Sequence, residues 1–506
     1  MPNKTGELSV TEEPSQTDKE PETADQCFNK GTEEEESGDR WITSDLSKAL
    51  RFYQRAFDLY QKTLKMNPKN LDALYNASRL LFSVYTEYIK NEAVNLADLT
   101  NCEEALSGND NSVIQPLEKI TSVFQHAVDF VGSHKTDSLP WDLYYNAAIC
   151  YFEYAEDMTS GGYETDAHYD EAIGAMVSSE QLLTAVLKFQ MQSLQDTDSG
   201  DQKNKEEEED DDDDDKIVPT TALETCIDGY RLVTTLYEDA CTKKRDQDVE
   251  KASQNFISDI DAAASELINA FSANGRLEAD QINELRLAKA AFSSSRCTDV
   301  LACDNVWKQS QIEDRPDKLL IQAGSYRTLL DKYDEANVEI SDDQKWTVLT
   351  YMDRLYKQAY RILKAELDEY KLRKKKDHGD DSSNIISQIC TIFIEEADIA
   401  LERSNLTSCD IALKSQSVLV KNFHALLKNA VIYSKKSGGL RESIVGKLMR
   451  EKRRREALIR MCIADGKTSV AELNSIIGFK HWPQEVQDLA EVAQYSEGAA
   501  HIVAQL

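Results

Sequence analysis

An all-α protein is what this sequence predicts, on three observations. Apolar residues recur at three- and four-residue intervals through most of the chain after residue 40, and only 19 Gly and 9 Pro interrupt 506 residues. The balance of 41% hydrophobic and 29% charged residues suits amphipathic helices better than turn-rich sheets. At this length one core rarely serves the whole chain, so several helical sub-domains or one stacked array of helix pairs is expected.

Residues 1–40 hold 12 acids and 4 bases with almost no large apolar side chain. They are expected to form a disordered acidic tail, because so little burial cannot offset the entropy of ordering. Order is expected to begin between Trp41 and Leu46, where Ser44 or Asp45 can cap a helix carrying Leu50, Phe52, Tyr53, Phe57, Tyr60 and Leu64. Asn67-Pro68 should end that helix. A second helix follows within a few residues, with Leu71, Leu74, Tyr75, Ser78, Leu81, Phe82, Tyr85 and Ile89 on one stripe. So short a link implies antiparallel packing. The same periodicity predicts helices over 113–131, 141–158 and 168–194, which complete a block at 41–195.

Residues 196–218 read as an acidic low-complexity loop. Its centre is an unbroken run: Glu206, Glu207, Glu208, Glu209, Asp210, Asp211, Asp212, Asp213, Asp214 and Asp215. A second helical block is expected at 219–376, with helices over 219–242, 249–274, 280–294, 299–309, 316–333 and 341–376. A linker at 377–383 leads to a C-terminal block at 384–506, with helices over 384–403, 407–435, 440–464, 468–477 and 483–505.

Charge narrows the function classes. Of the formal net charge of −33, residues 1–40 and 196–215 together carry −19. Such segments repel nucleic-acid phosphates and anionic headgroups and attract basic proteins, so direct DNA binding is not expected. Ten scattered cysteines without CxxC spacing point to a reducing compartment. The N-terminus is acidic where a secretory signal would be basic and then apolar, and no run approaches the length of a membrane helix. The expectation is a soluble cytoplasmic or nuclear protein with no membrane insertion.

Patterns that carry chemistry do not occur: there is no GxSxG, HExxH or GxGxxG. Gly446-Lys447 lacks the rest of a phosphate loop, with Arg441 where the leading glycine belongs and Leu448 where Ser or Thr would hold magnesium. Seven histidines are dispersed singly, without metal-ligand spacing. The Cys297 and Cys303 pair has no histidine near it and reads as core. No catalytic residue, metal or cofactor is expected, and the chain is not expected to be an enzyme.

The stretch 56–85 resembles the junction between two tetratricopeptide repeats. Ala56, Tyr60, Thr63 and Pro68 fall on that family's small, aromatic, small and helix-ending positions, and Leu74, Ala77, Ser78 and Leu81 fall on the next helix. Tyr75-Asn76-Ala77 returns as Tyr145-Asn146-Ala147, and 168–173 looks like the opening of a repeat's second helix, although the spacing departs from a strict repeat and Gly161-Gly162 lies in the excess. The resemblance implies antiparallel helix pairs stacked in an interrupted α-solenoid with a groove for a partner. In members that clamp a chaperone's C-terminal carboxylate, Asn stands where Asn76 and Asn146 stand here. Asn is also common at that place in repeats without a clamp, and no matching Lys and Arg set accompanies it. The layout of helical repeats interrupted by an acidic segment is similar to that of histone chaperones and dedicated ribosomal-protein chaperones.

Two basic runs interrupt the acidic background. One includes Lys374, Lys375 and Lys376; the other includes Lys452, Arg453, Arg454 and Arg455. Each reads either as a nuclear localisation signal or as a solvated helix face. The resulting expectation is a protein-binding scaffold, a chaperone or adaptor for a basic client such as a ribosomal protein or histone, held in a helical groove with help from the acidic loop. The alternative is a structural or regulatory subunit of a larger assembly whose acidic segments only solubilise it.

Overall fold

The computed structural model describes residues 21–133, 140–160, 166–200, 217–242, 245–273, 275–335, 338, 340–373, 381–478 and 481–506. Among them are eighteen α-helices and no strand. The chain divides into two compact units, one comprising Met1–Tyr85 and Leu96–Gln115, the other Thr86–Asn95 and Pro116–Leu506. The block expected at 41–195 is thus shared between them.

The first unit contains α1 (Ala24–Ile42), α2 (Leu46–Met66) and α3 (Leu71–Tyr85). Over 24–40 the expected disorder is overturned by α1, while residues 1–20 of the acidic tail lie outside the described residues. A capping box starts it, with the Gln26 amide donating to Thr23 Oγ1 at 3.2 Å and the Thr23 amide to Gln26 Oε1 at 3.3 Å. The tail looked unable to order because the apolar side chains of this contact come mostly from α2. Gly31 packs against Tyr60 and Gly38 against Tyr53, an antiparallel register with seven residues between contacts on each helix. A Cβ on Gly31 would stand 2.6 Å from Tyr60 Cε1, and one on Gly38 would collide with the Tyr53 ring. Between them the Tyr60 hydroxyl donates to Glu35 Oε2 at 2.7 Å, and Arg79 from α3 meets the other oxygen at 2.5 Å.

Asp45 caps α2 through the Lys48 amide at 2.9 Å, and Asn67-Pro68 follows the end of the helix. The expected start of a helix at 113 is also corrected. Gln54 accepts from the Val113 amide at 2.8 Å and donates to the Asn111 carbonyl at 2.7 Å, which ties this stretch to α2 outside any helix. Pro116 disfavours helix at the residue before it, so helix resumes only at 117.

The second unit begins with a π-helical turn at Thr86–Lys90 and continues through α4 (Leu117–Ser133), α5 (Trp141–Ser160), α6 (Asp166–Gly200), α7 (Pro219–Thr242), α8 (Asp246–Phe271) and α9 (Ala279–Ser295). It then runs through α10 (Val300–Gln309), α11 (Pro316–Glu335), α12 (Asp342–Arg373), α13 (Ser383–Ser404), α14 (Asp410–Ser434) and α15 (Ile444–Ala464). It closes with α16 (Val470–Ile477), α17 (Trp482–Ala490) and α18 (Ser496–Val503). Consecutive helices pack on one another through most of this unit. One apolar cluster joins α5 to α9 and another joins α9 to α18. The helix expected over 483–505 is broken at 491–495, because buried Tyr495 is drawn to Asp398 with its hydroxyl 2.5 Å from Oδ1.

The Gly38 contact makes a direct prediction. Gly38→Leu should release α1 at a cost of about 1–3 kcal/mol, the usual range for overpacking. Hydrogen exchange over 24–42 should rise markedly while α13 keeps its protection. Unchanged protection over 24–42 would contradict the packing described.

Candidate protein-interaction surface

The C-terminal helices of the second unit are organised around charges placed inside. Helix α13 is buried on most of its circumference, with Ile386, Ile389, Ile392, Phe393, Ala397 and Ile399 in the core. It nevertheless carries Glu395, Glu396, Asp398 and Glu402. Arg327 of α11 meets Glu402 with two nitrogens at 2.8 and 3.3 Å. Arg460 of α15 places Nε 3.0 and 3.2 Å from the two oxygens of Asp398. Tyr495 adds its hydroxyl to the same carboxylate. Paired ions of this kind recover the desolvation cost only with such geometry, and they fix which helix faces which.

Glu396 is different. It is buried, its Oε1 has no hydrogen-bond partner, and burial, helped by nearby Asp353 and opposed by Lys357, pushes its carboxyl up to about 7. Glu180 of α6 is likewise buried with Oε1 unpartnered and pushed up to about 7 by burial.

The basic run at 450–455 belongs mostly to this interior, so the reading of it as a solvated basic segment is corrected. Lys452 is 9% exposed and reaches Glu456 at 2.7 Å, Glu92 at 3.0 Å and Glu485 at 3.6 Å. Arg453 donates to both oxygens of Glu456 at 2.8 Å, and Arg455 meets Glu485 at 3.5 Å. Burial works against the Glu456 carboxylate, but Arg453 and Lys452 hold it below the usual carboxylate range. Arg450 pairs with Glu442 and donates to the Ser434 carbonyl at 2.6 Å. The spacing of the run placed successive cations on several faces of α15, and carboxylates of the fold meet most of them. Arg454 is left exposed.

The other sequence candidates fare differently. Glu206 to Asp215 and Lys374, Lys375 and Lys376 lie outside the described residues. Asn76 is half-buried on α3 and Asn146 half-buried on α5, in different compact units. The Asn146 amide donates to the Asp142 carbonyl one turn earlier at 2.9 Å, so part of its bonding capacity is spent inside its own helix. Gly446 packs directly on the Ser383 side chain, which gives it a packing role where a phosphate loop would need an open cradle.

Among the described residues no three His, Cys, Asp or Glu side chains gather as a metal site, and no helix is long and apolar enough to cross a membrane. Burial pushes the thiols of Cys150, Cys226, Cys303 and Cys390 up to about 12, which keeps them protonated and unreactive. An open cleft of about 600 Å³ lined by Tyr237, Lys251, Ile257, Phe292 and Arg296 has its arginine already paired with Glu250.

The surface feature that stands out is on α14. Its buried side chains, Ala412, Leu419, Phe423, Leu427, Ala430 and Ser434, lie along one face. The opposite face leaves Ile411 and Val418 each 55% and Ile432 58% exposed, with Ala425 also exposed between them. Lys414, Lys421, Lys428 and, just past the helix, Lys435 are exposed beside them. Both sets repeat every seven residues, a signal present in the sequence that the helical reading of 407–435 did not use.

Against known proteins, a family model described as the YNL193W C-terminal domain matches residues 314–494, the stretch that holds α11 to α17. The chain is 21% identical over 496 residues to a Saccharomyces cerevisiae protein described as uncharacterized protein YNL193W, covering 82% of this chain and 85% of that protein. It is 41% identical over 64 residues to the Schizosaccharomyces pombe UPF0656 protein C926.02, covering 13% of this chain and 14% of that one. Among solved structures it is similar to a circular tandem repeat protein with novel repeat topology and enhanced subunit contact surfaces. That match has 12% identity and a TM-score of 0.29 over 95% of this chain and 97% of the other. Among the described residues the architecture is all-α and built of many helices.

Glu396 supplies a pH prediction. Its carboxyl is protonated more readily in the folded chain than in the unfolded one, where it titrates near 4.5. Its stabilising effect is therefore complete below about pH 4.5 and is lost as pH rises through about 7. Glu396→Gln should leave stability near pH 4.5 almost unchanged and raise it at pH 8 by at most about 3 kcal/mol. Denaturant titrations at the two pH values check this; an equal effect at both would contradict the burial argument.

Proposed function

We propose that this chain is a protein-binding helical scaffold, a dedicated chaperone or adaptor for a basic client such as a ribosomal protein or histone, working in the cytosol or nucleus without catalysis. The observation that carries the reading is the run of ten carboxylates, Glu206 to Asp215, set in the connection between α6 and α7. A polyanion there would attract lysine- and arginine-rich surfaces over a Debye length and speed encounter with the client. The helices on either side would supply the contact surface, in the manner of tetratricopeptide-like helix pairs, of which α2 and α3 carry the clearest sequence resemblance. The interior charges support the same reading, since most of them are consumed in holding helices together.

A second reading, a stable subunit of a larger assembly, is favoured by the apolar side chains that α14 leaves uncovered. Exposed apolar residues concentrated on one element mark contact sites more than scattered ones do.

The acidic tract is tested by deleting 206–215 and measuring affinity for purified core histones across a salt titration. The expected result is weaker binding at low salt and a flatter salt dependence. Affinity that is unchanged by the deletion at every salt concentration would contradict the proposed role.

A further inference from the structure

We infer that the solvent face of α14 is a docking site for an acidic amphipathic helix of a partner protein. The site is a stripe of two parallel rows. Ile411, Val418, Ala425 and Ile432 form the apolar row, and Lys414, Lys421, Lys428 and Lys435 the basic one. On a helix, seven residues make nearly two turns and about 10.5 Å, so each row runs almost straight for about 30 Å. Residues three apart are neighbours, which sets each lysine beside an apolar side chain of the other row.

The exposure of this stripe is built into the fold. Leu419, Phe423 and Leu427 anchor the opposite face in the core, where α14 packs mainly on α13 and α15, with Tyr433 also meeting Tyr360 of α12. Asp410 is the sole carboxylate of the helix. None of the four lysines is engaged by a carboxylate among the described residues, whereas most of the neighbouring basic run on α15 is. Over 410–460 the sequence places thirteen Lys and Arg against four Asp and Glu, in a chain whose net charge is −33.

Charge selects the occupant. A second copy of this stripe would bring lysine row against lysine row, which repels. The acidic tract of this chain, Glu206 to Asp215, has no apolar residue for the Ile411, Val418 and Ile432 row. A partner helix with an apolar residue and a Glu or Asp each repeating every seven residues satisfies both rows at once. Its apolar side chains cover the exposed row, its carboxylates meet the ammonium groups, and the lysine stems lie between them as apolar contact. The shared seven-residue period fixes register, since a shift by a few residues breaks both rows together.

The inference rests on the scaffold reading but not on the acidic tract, and the experiment separates the two. The full chain and the chain lacking 206–215 are titrated with synthetic helical peptides of four heptads carrying Leu and Glu at the complementary positions. Gln-for-Glu and Lys-for-Glu peptides, phosphatidylserine vesicles and a single-stranded RNA are run alongside. The Glu peptide should bind at least about tenfold tighter than the Gln peptide, more weakly at high salt, and equally well to both chains. Lys414→Glu, Lys421→Glu and Lys428→Glu together should abolish that preference and create binding to the Lys peptide. The corresponding Lys→Gln set should lose the preference without the reversal, and covers the case in which charge reversal disturbs the fold. Val418→Ser with Ile432→Ser should weaken the Glu peptide by about tenfold with an unchanged melting temperature. Equal binding of Glu and Gln peptides, binding that survives the lysine substitutions, or binding of RNA or vesicles without the peptide would overturn the assignment.

Discussion

The burial of carboxylates on α13 is the constraint around which the C-terminal half is arranged. A helix covered on nearly all sides would be expected to carry only apolar residues. Asp398 and Glu402 are admitted because Arg460 and Arg327 reach them from α15 and α11, with Tyr495 completing the shell around Asp398. Such pairs add less net stability than well-packed apolar residues of the same volume, and removing one partner is costly. What they supply here is register: a slip of α15 along α13 would leave Asp398 without its partner in the interior, and a slip of α11 would break the half-buried Arg327–Glu402 pair. The break between α17 and α18 follows from the same demand, since Tyr495 leaves the helical path expected for it and joins the pair.

Once α13, α14 and α15 are fixed in this way, the two faces of α14 are assigned. Phe423 and Leu427 go inward, and the rows that include Val418 and Lys421 are presented to solvent. The cations of the neighbouring helix divide by the same rule. Lys452, Arg453 and Arg455 have carboxylates within reach and are used by the fold, while the lysines of α14 face outward. The chain therefore combines a polyanionic run in its sequence with a cationic, partly apolar face on α14.

Helical periodicity made nearly all of the helices legible, because each pays its ordering entropy by burying a stripe that repeats at the helical period. Helix α1 escaped because the rule counts apolar residues on the segment itself. Gly31 and Gly38 contribute absence of bulk, and the rings that fill the space belong to Tyr60 and Tyr53 of the next helix. The stretch before α4 escaped because its conformation is set by Gln54, far away in sequence. Charge was legible as composition but not as placement. The pairing of Lys452 with Glu485 and Glu92 depends on tertiary contact, so a run that reads as a surface signal became part of the interior. The candidate site was recoverable in principle, since a seven-residue recurrence of Lys and Ile or Val is printed in the sequence, although only the fold shows that it faces solvent.

The central claim is that the ion pairs of α13 hold the C-terminal helices in register, and a double-mutant cycle on Asp398 and Arg460 tests it most directly. Asp398→Asn, Arg460→Met and the double variant are compared by chemical denaturation at neutral pH. Each single change should cost about 3–5 kcal/mol, and the double variant should cost less than their sum by about 1–3 kcal/mol, since it strands no charge. Strictly additive losses would show that the two groups do not act as a pair and would contradict the account.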